Sequence, residues 1–358
     1  MYSKNHVRYE HQALRAFAQT LFNSIGMEES KSPIIADVLV EADLLGHDTH
    51  GLNLLAPYLT DIDAGVMAVE GEPTVISDLP AAIAWDGKRL SGVWLTATAL
   101  DLAINRAKTF GTCAVTIARG HHIACLAAYL LKATEQGMLA IITSSAPEIS
   151  SVAPHGGKCG VLTPNPIAAG WPTRGLPVLL DVSTSITTNG MVTRKTNESE
   201  RLPGCWLIDK SGKPTDDPRV VTTNLSDSRG ALLPIGGLEY GHKGFSLGLM
   251  VEALTQGLSG HGRADSVQDW TGEVFLQVLN PKLFGGQDRF LRQTTWLSEA
   301  CQKSEPLDPQ RPVRMPGERG LEKRTKQLRD GIELHPSIIP SVTSWAQKLK
   351  VKLPQPLT

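Results

Sequence analysis

The sequence predicts an α/β protein, with a central body of alternating strands and helices flanked by helices from both chain ends. Three observations carry this. Helical periodicity fills the first sixty-five residues, strand and helix signals alternate from 73 to 286, and the tail from Gln287 returns to helix. At 358 residues the chain is long enough for about two domains and a large core.

The elements follow in order. From Tyr9, apolar residues recur at Leu14, Phe17, Leu21, Phe22 and Ile25, and Gly26 is a natural stop. The next helix takes Ser32 as N-cap and Pro33 at its first position, then runs through Ile35, Val38, Leu39, Ala42 and Leu45 to Gly46. A polar link at 47–51 leads to a third helix carrying Leu52, Leu55, Leu59 and Ile62, ending near Gly65. Residues 73–76 and 82–85 read as extended, with a turn at Asp86-Gly87. Segments 96–110 and 123–135 read as helices, and 112–117 and 138–143 as strands. Two apolar runs, 166–171 and 177–182, follow, then a polar loop-like stretch at 193–218. An apolar helix at 244–258 and a strand at 274–279 complete the body. The helical tail is interrupted by a Pro/Arg-rich linker at 305–316.

Composition narrows the function. Apolar residues make up 41% and charged residues 20%, too apolar for a disordered chain. With 35 Lys+Arg against 36 Asp+Glu there is no basic excess for a nucleic-acid partner. The apolar runs, such as 138–142, are too short to span a bilayer, and residues 1–12 carry no apolar leader core, so the expected address is cytoplasmic. Five widely spaced cysteines, without a C-x-x-C, read as reduced thiols in a large core. No G-x-G-x-x-G follows a strand, and no P-loop, H-E-x-x-H or G-x-S-x-G is present.

Several polar clusters interrupt the apolar pattern. Gly46-His47-Asp48-Thr49-His50-Gly51 links two helices. It reads as a capped turn, as a histidine acid/base, or as an H-x-x-H metal pair for which no third ligand is nominated. Arg119-Gly120-His121-His122 follows a strand and precedes a helix, where free backbone N–H groups can meet an anion. Asp181 ends an apolar strand, where it can cap the next turn or stabilise a charged histidine. Gly241-His242-Lys243-Gly244 opens the apolar helix and suits either a solvated turn or a phosphate. Met315-Pro316-Gly317-Glu318-Arg319 is a helix start.

Taken in order along residues 10–335, these pieces resemble the malate/L-lactate dehydrogenase family of NAD(P)-dependent oxidoreductases, whose relatives include ureidoglycolate dehydrogenase, sulfolactate dehydrogenase and piperideine-2-carboxylate reductase. Val152-Ala153-Pro154-His155-Gly156-Gly157, Leu232-Leu233-Pro234-Ile235-Gly236-Gly237 and Leu279-Asn280-Pro281-Lys282-Leu283-Phe284-Gly285 add to the match. The variants G-H-D-T-H-G and H-H-I look most similar to the hydroxycarboxylate dehydrogenase branch. The resemblance implies a non-Rossmann, mixed-sheet cofactor domain at 73–286 and a helical domain from 1–72 plus 287–358. It also implies a homodimer, NAD or NADP as cofactor, no metal, and a small 2-oxo or 2-hydroxy acid as substrate. It makes His50 the proton donor, with Asp181 orienting it and Thr49 in the place of the family serine. Cofactor contacts fall on His122, Ala124, Cys125 and Leu126, on Val182, Ser183, Thr184 and Ser185, on His242 and Lys243, and on Gly317 and Glu318. Substrate positions fall on His121, Pro164 and Leu54. The sequence departs from the family at Leu54 and Leu45, where arginines are usual, and at Ala124, at Thr163-Pro164 and at Met191. A cyclic imino-acid reductase and a nucleotide-binding member without turnover are the alternatives.

Overall fold

A computed structural model describes residues 7–222, 229–267 and 270–357, so part of the polar N-terminal stretch lies outside the described residues. After a short strand β1 (Arg8–Tyr9) come helices α1 (His11–Ser24), α2 (Ser32–Leu45) and α3 (Leu55–Asp63). The body follows with β2 (Thr74–Leu79), β3 (Ala82–Asp86), α4 (Gly92–Phe110), β4 (Thr112–Gly120), α5 (Ala127–Thr134), β5 (Leu139–Ser145), β6 (Ile167–Trp171) and β7 (Val178–Val182). It continues through α6 (Asn189–Asn197), β8 (Leu207–Ile208), β9 (Pro214–Thr215), α7 (Arg219–Thr222), β10 (Ala231–Leu232), α8 (Gly237–Tyr240), α9 (His242–Glu252) and β11 (Gly272–Leu279). The tail holds α10 (Gln287–Gln302), α11 (Glu318–Asp330), β12 (Ile332–Glu333) and α12 (Ile338–Lys348).

Seven strands form one mixed sheet in the order β2-β3-β4-β11-β5-β6-β7, in which only β3 and β4 run parallel. This is the non-Rossmann, mixed α/β architecture expected. The late strand β11 lies at the centre between β4 and β5, and its residues Gly272–Leu279 are mostly buried. Burial on both faces suits its apolar run better than alternation would. The two chain ends are braided. Arg324 Nε bonds Glu41 Oε1 at 2.5 Å, Gln327 Nε2 donates to the carbonyls of Asp43 and Leu44, Lys348 pairs with Asp63, and β1 pairs with β12.

The differences from the expected elements are local and have tertiary causes. Lys31, not Ser32, occupies the N-cap of α2; Ser32 is helical and its Oγ donates back to Glu28 O. The third helix opens with a 3₁₀ turn at Leu52–Leu54. Helix α4 starts at Gly92, because Ser91 Oγ caps Trp94 N. Strand β4 runs on to Gly120, held by pairing with Gly272 of β11. The helix expected from 123 starts only at Ala127, since Ala124 adopts φ 58° and interrupts it. The stretch expected to be loop contains most of α6, with β8 and β9. Of the cysteines, Cys113 and Cys125 are buried, but Cys159 and Cys205 are exposed, so not every thiol is in the core.

Candidate active site

A cavity of about 780 Å³ opens between the turn after α2, the loop before α5, the end of β7 and the start of α6. Its wall includes His47, Thr49, His50, Leu54, His122, Ala124, Cys125, Leu126, Pro164, Asp181 and Ser183. Residues 46–51 reach it because α2 ends at Gly46 in the left-handed region, φ 90°, which turns the chain across the helix end. Gly51 completes the turn: a Cβ there would lie 2.5 Å from the Asp43 carboxylate. Asp43 is buried beneath the turn, accepts Leu52 N–H at 2.8 Å, and is pushed up to about 7 by that burial.

His50 is held through Nδ1, 2.8 Å from Thr49 Oγ1. The hydroxyl fixes the ring and leaves Nε2 for a ligand. Burial lowers the pKa of His50; the Asp181 and Asp48 charges oppose this, and His47 and Arg194 add to it. Asp181 therefore acts on His50 through its charge. Its own hydrogen bonds come from Ala127 N at 2.8 Å and Cys125 Sγ at 3.7 Å, so it anchors the start of α5 from across the sheet edge. Burial and the neighbouring Asp181 push the Cys125 thiol well up. Ligand atoms of His47, Cys125 and Asp181 lie within 4.8 Å of one another.

The two adjacent histidines part company. His122 lines the cavity, its Nδ1 2.7 Å from Tyr58 Oη, with burial holding its pKa well below the usual value. Its ring lies 5.8 Å from that of His50 and 4.9 Å from Trp270. His121, expected to face substrate, is instead buried behind the wall with Nε2 3.1 Å from Asp61.

Other expected cofactor residues lie outside this lining. Val182 points outward and is exposed, while Thr184 and Ser185 are buried with their hydroxyls on Pro164 O and Thr187 O. His242 and Lys243 are exposed at the start of α9, with Lys243 Nζ over the Tyr240 ring. Gly244 next to them packs on the backbone of Thr184 and Ile235. Gly317, at φ 86°, packs against Leu179 of β7, and Glu318 accepts Met315 N–H. Both sets thus abut β7 or the segment after it. Tyr58, Trp270, Asn53 and His335 were not singled out in sequence, since none belongs to a motif; only the fold brings the last three to the wall.

The family model for malate/L-lactate dehydrogenase matches residues 9–343. A malate dehydrogenase of Pyrococcus abyssi is 31% identical over 360 residues, covering 98% of this chain and 97% of its own. The crystal structure of malate dehydrogenase from Entamoeba histolytica has the same fold, with a TM-score of 0.91 at 24% identity over 97% of this chain and 99% of that one. That of Δ1-piperideine-2-carboxylate reductase from Pseudomonas syringae superposes with a TM-score of 0.81 at 26% identity over 95% and 99%.

Proposed function

Since this chain is a dehydrogenase of the malate/L-lactate dehydrogenase family, we propose that it interconverts a 2-hydroxy acid and a 2-oxo acid with NAD(H) or NADP(H), His50 moving the proton. The observation that supports this best is the His50 imidazole, held at Nδ1 by Thr49 on a cavity wall shared with Asp181.

The wall suits a nicotinamide. Its volume is in the range of ligand sites, Trp270 and Ile123 offer apolar surface, and the buried Thr271 hydroxyl has no partner among the described residues. The loop from His122 to Leu126 and Ser183 would hold the ring end; His242, Lys243, Gly317 and Glu318 are assigned to the remainder by resemblance. When bound, the nicotinamide supplies or accepts the hydride. In reduction, protonated His50 gives the Nε2 proton to the substrate oxygen as negative charge develops there. Nδ1–H stays donated to Thr49 Oγ1, so one tautomer serves before and after transfer. In oxidation, neutral His50 takes the hydroxyl proton. Asp181 lowers the cost of the charged state.

The test is the decay of reduced-nicotinamide absorbance with NADH and NADPH, each against 2-oxo acids and cyclic imines. Decay with 2-oxo acids supports the proposal and identifies the cofactor. Decay only with imines favours the second reading, a C=N reductase, which the likeness to piperideine-2-carboxylate reductase keeps in view.

We also propose a homodimer and a cytoplasmic address. Leu247, Met250 and Leu258 leave an apolar face exposed along α9 and the π-helical turn after it. No helix among the described residues is long and apolar enough to cross a membrane.

A further inference from the structure

Among the described residues, Arg194 is the one lysine or arginine on the cavity wall. It stands on α6 four residues after Gly190, hence on the same helix face one turn further on. That face meets the proton donor directly, because a Cβ at Gly190 would lie 4.0 Å from His50 Cε1 and 3.9 Å from Thr49 Cβ. Arg194 Nη1 is tied to Asp48 Oδ1 at 3.2 Å, two residues before His50. The tether holds the guanidinium on the wall it shares with His50, whose pKa its charge lowers, and leaves other N–H donors of its fork for an anion.

In a 2-oxo acid the carboxylate is attached to the very carbon whose oxygen takes the proton. A cation held near His50 is therefore in the place that carboxylate needs. The same wall carries the apolar side chains of Leu54, Ile149 and Met191, and Glu198, four residues after Arg194, is an acid. A second anionic group would find no second lysine or arginine on this wall among the described residues.

We propose that Arg194 binds the substrate carboxylate and that the substrate is a mono-anionic 2-oxo acid with an apolar side chain. This rests on the hydroxy-acid reading above and names its substrate class. The Asp48 carboxylate keeps the guanidinium in place, and its ion pair persists when the substrate adds to the fork.

The test compares wild type, Arg194→Gln and Arg194→Lys with 4-methyl-2-oxopentanoate, phenylpyruvate, oxaloacetate and methyl pyruvate, with nicotinamide binding followed by fluorescence. Wild type is expected to use both apolar monocarboxylates with kcat/KM at least tenfold above oxaloacetate. Arg194→Gln is expected to raise KM for those acids roughly ten- to a hundredfold, with kcat changed only a few-fold. Lysine is expected to recover part of the loss. The KM of the uncharged ester should be indifferent to both substitutions, and cofactor affinity should be unchanged, which shows that the variants are folded. Unchanged KM in Arg194→Gln, or a wild-type preference for oxaloacetate, overturns this proposal while leaving the hydroxy-acid reading intact. Failure of wild type to reduce any 2-oxo acid while binding the cofactor overturns both.

Discussion

As proton donor to a carbonyl, His50 must be charged, and as acceptor from a hydroxyl it must be neutral. Burial lowers its pKa below the usual histidine value, so reduction should weaken as pH rises past that lowered value, and oxidation should strengthen through the same interval. Asp181→Asn removes the charge that opposes the shift, while the amide oxygen can still accept Ala127 N–H. The pH limb of kcat/KM should move further to the acid side in that variant; a limb that stays in place would separate Asp181 from proton transfer. His50→Ala should lose roughly 10²- to 10⁴-fold in turnover while nicotinamide binding, read by fluorescence, stays near wild type. Undiminished turnover would remove His50 from the chemistry. The order of the motifs singled out a histidine turn and a distant strand-end acid, and both line the cavity. It could not say which of His121 and His122 faces the cavity. That depends on the left-handed turn at Ala124 and on Tyr58 and Asp61, which claim one ring each from sixty residues away. Nor could the sequence say that Arg194 shares the cavity wall with His50, since that follows from where α6 is set down.

The turn between α2 and α3 is built over a buried acid, and this sets a cost on the element that carries His50. Asp43, at about 7 in the folded chain, binds its proton more tightly there than unfolded. Between the unfolded value near 4 and the folded one, the folded state holds more protons, so stability falls as pH rises and the cost is complete above about 7. Asp43→Asn keeps an acceptor for Leu52 N–H and removes the charge. Its melting temperature should exceed wild type at pH 8 and the gap should close toward pH 4. A pH-independent difference would mean that Asp43 does not titrate in this range. Elements with local causes were legible: α1 and α2 from period and stop glycines, β5, β6 and β7 from short apolar runs. Element ends with remote causes were not. The start of α5 is fixed by Asp181, 54 residues away, and the end of β4 by Gly272 of β11. A single-sequence pattern contains neither contact.

At the scale of the molecule, the braid of both chain ends was legible as helix at each terminus, whereas the position of β11 in the middle of the sheet was not. An apolar run marks a strand but not its neighbours, and β11 pairs with strands about 130 to 170 residues earlier. The same fold leaves α9 with a buried stripe at Gly244, Gly248 and Val251 and, flanking it, Leu247 and Met250, which are 40% and 45% exposed. Leu258, at 58%, extends that exposed surface past the π-helical turn. An apolar stripe wider than the surface its own chain covers needs a second partner. A second copy placing the same helix against it would satisfy this by two-fold symmetry, without requiring a new surface. Light scattering on purified protein should therefore give twice the chain mass. Leu247→Glu combined with Met250→Glu should shift the species toward a single chain, because each buried carboxylate at the contact would lack a partner. Two outcomes would refute this face as the interface: wild type running as a single chain, or a doubly substituted protein that remains at twice the chain mass.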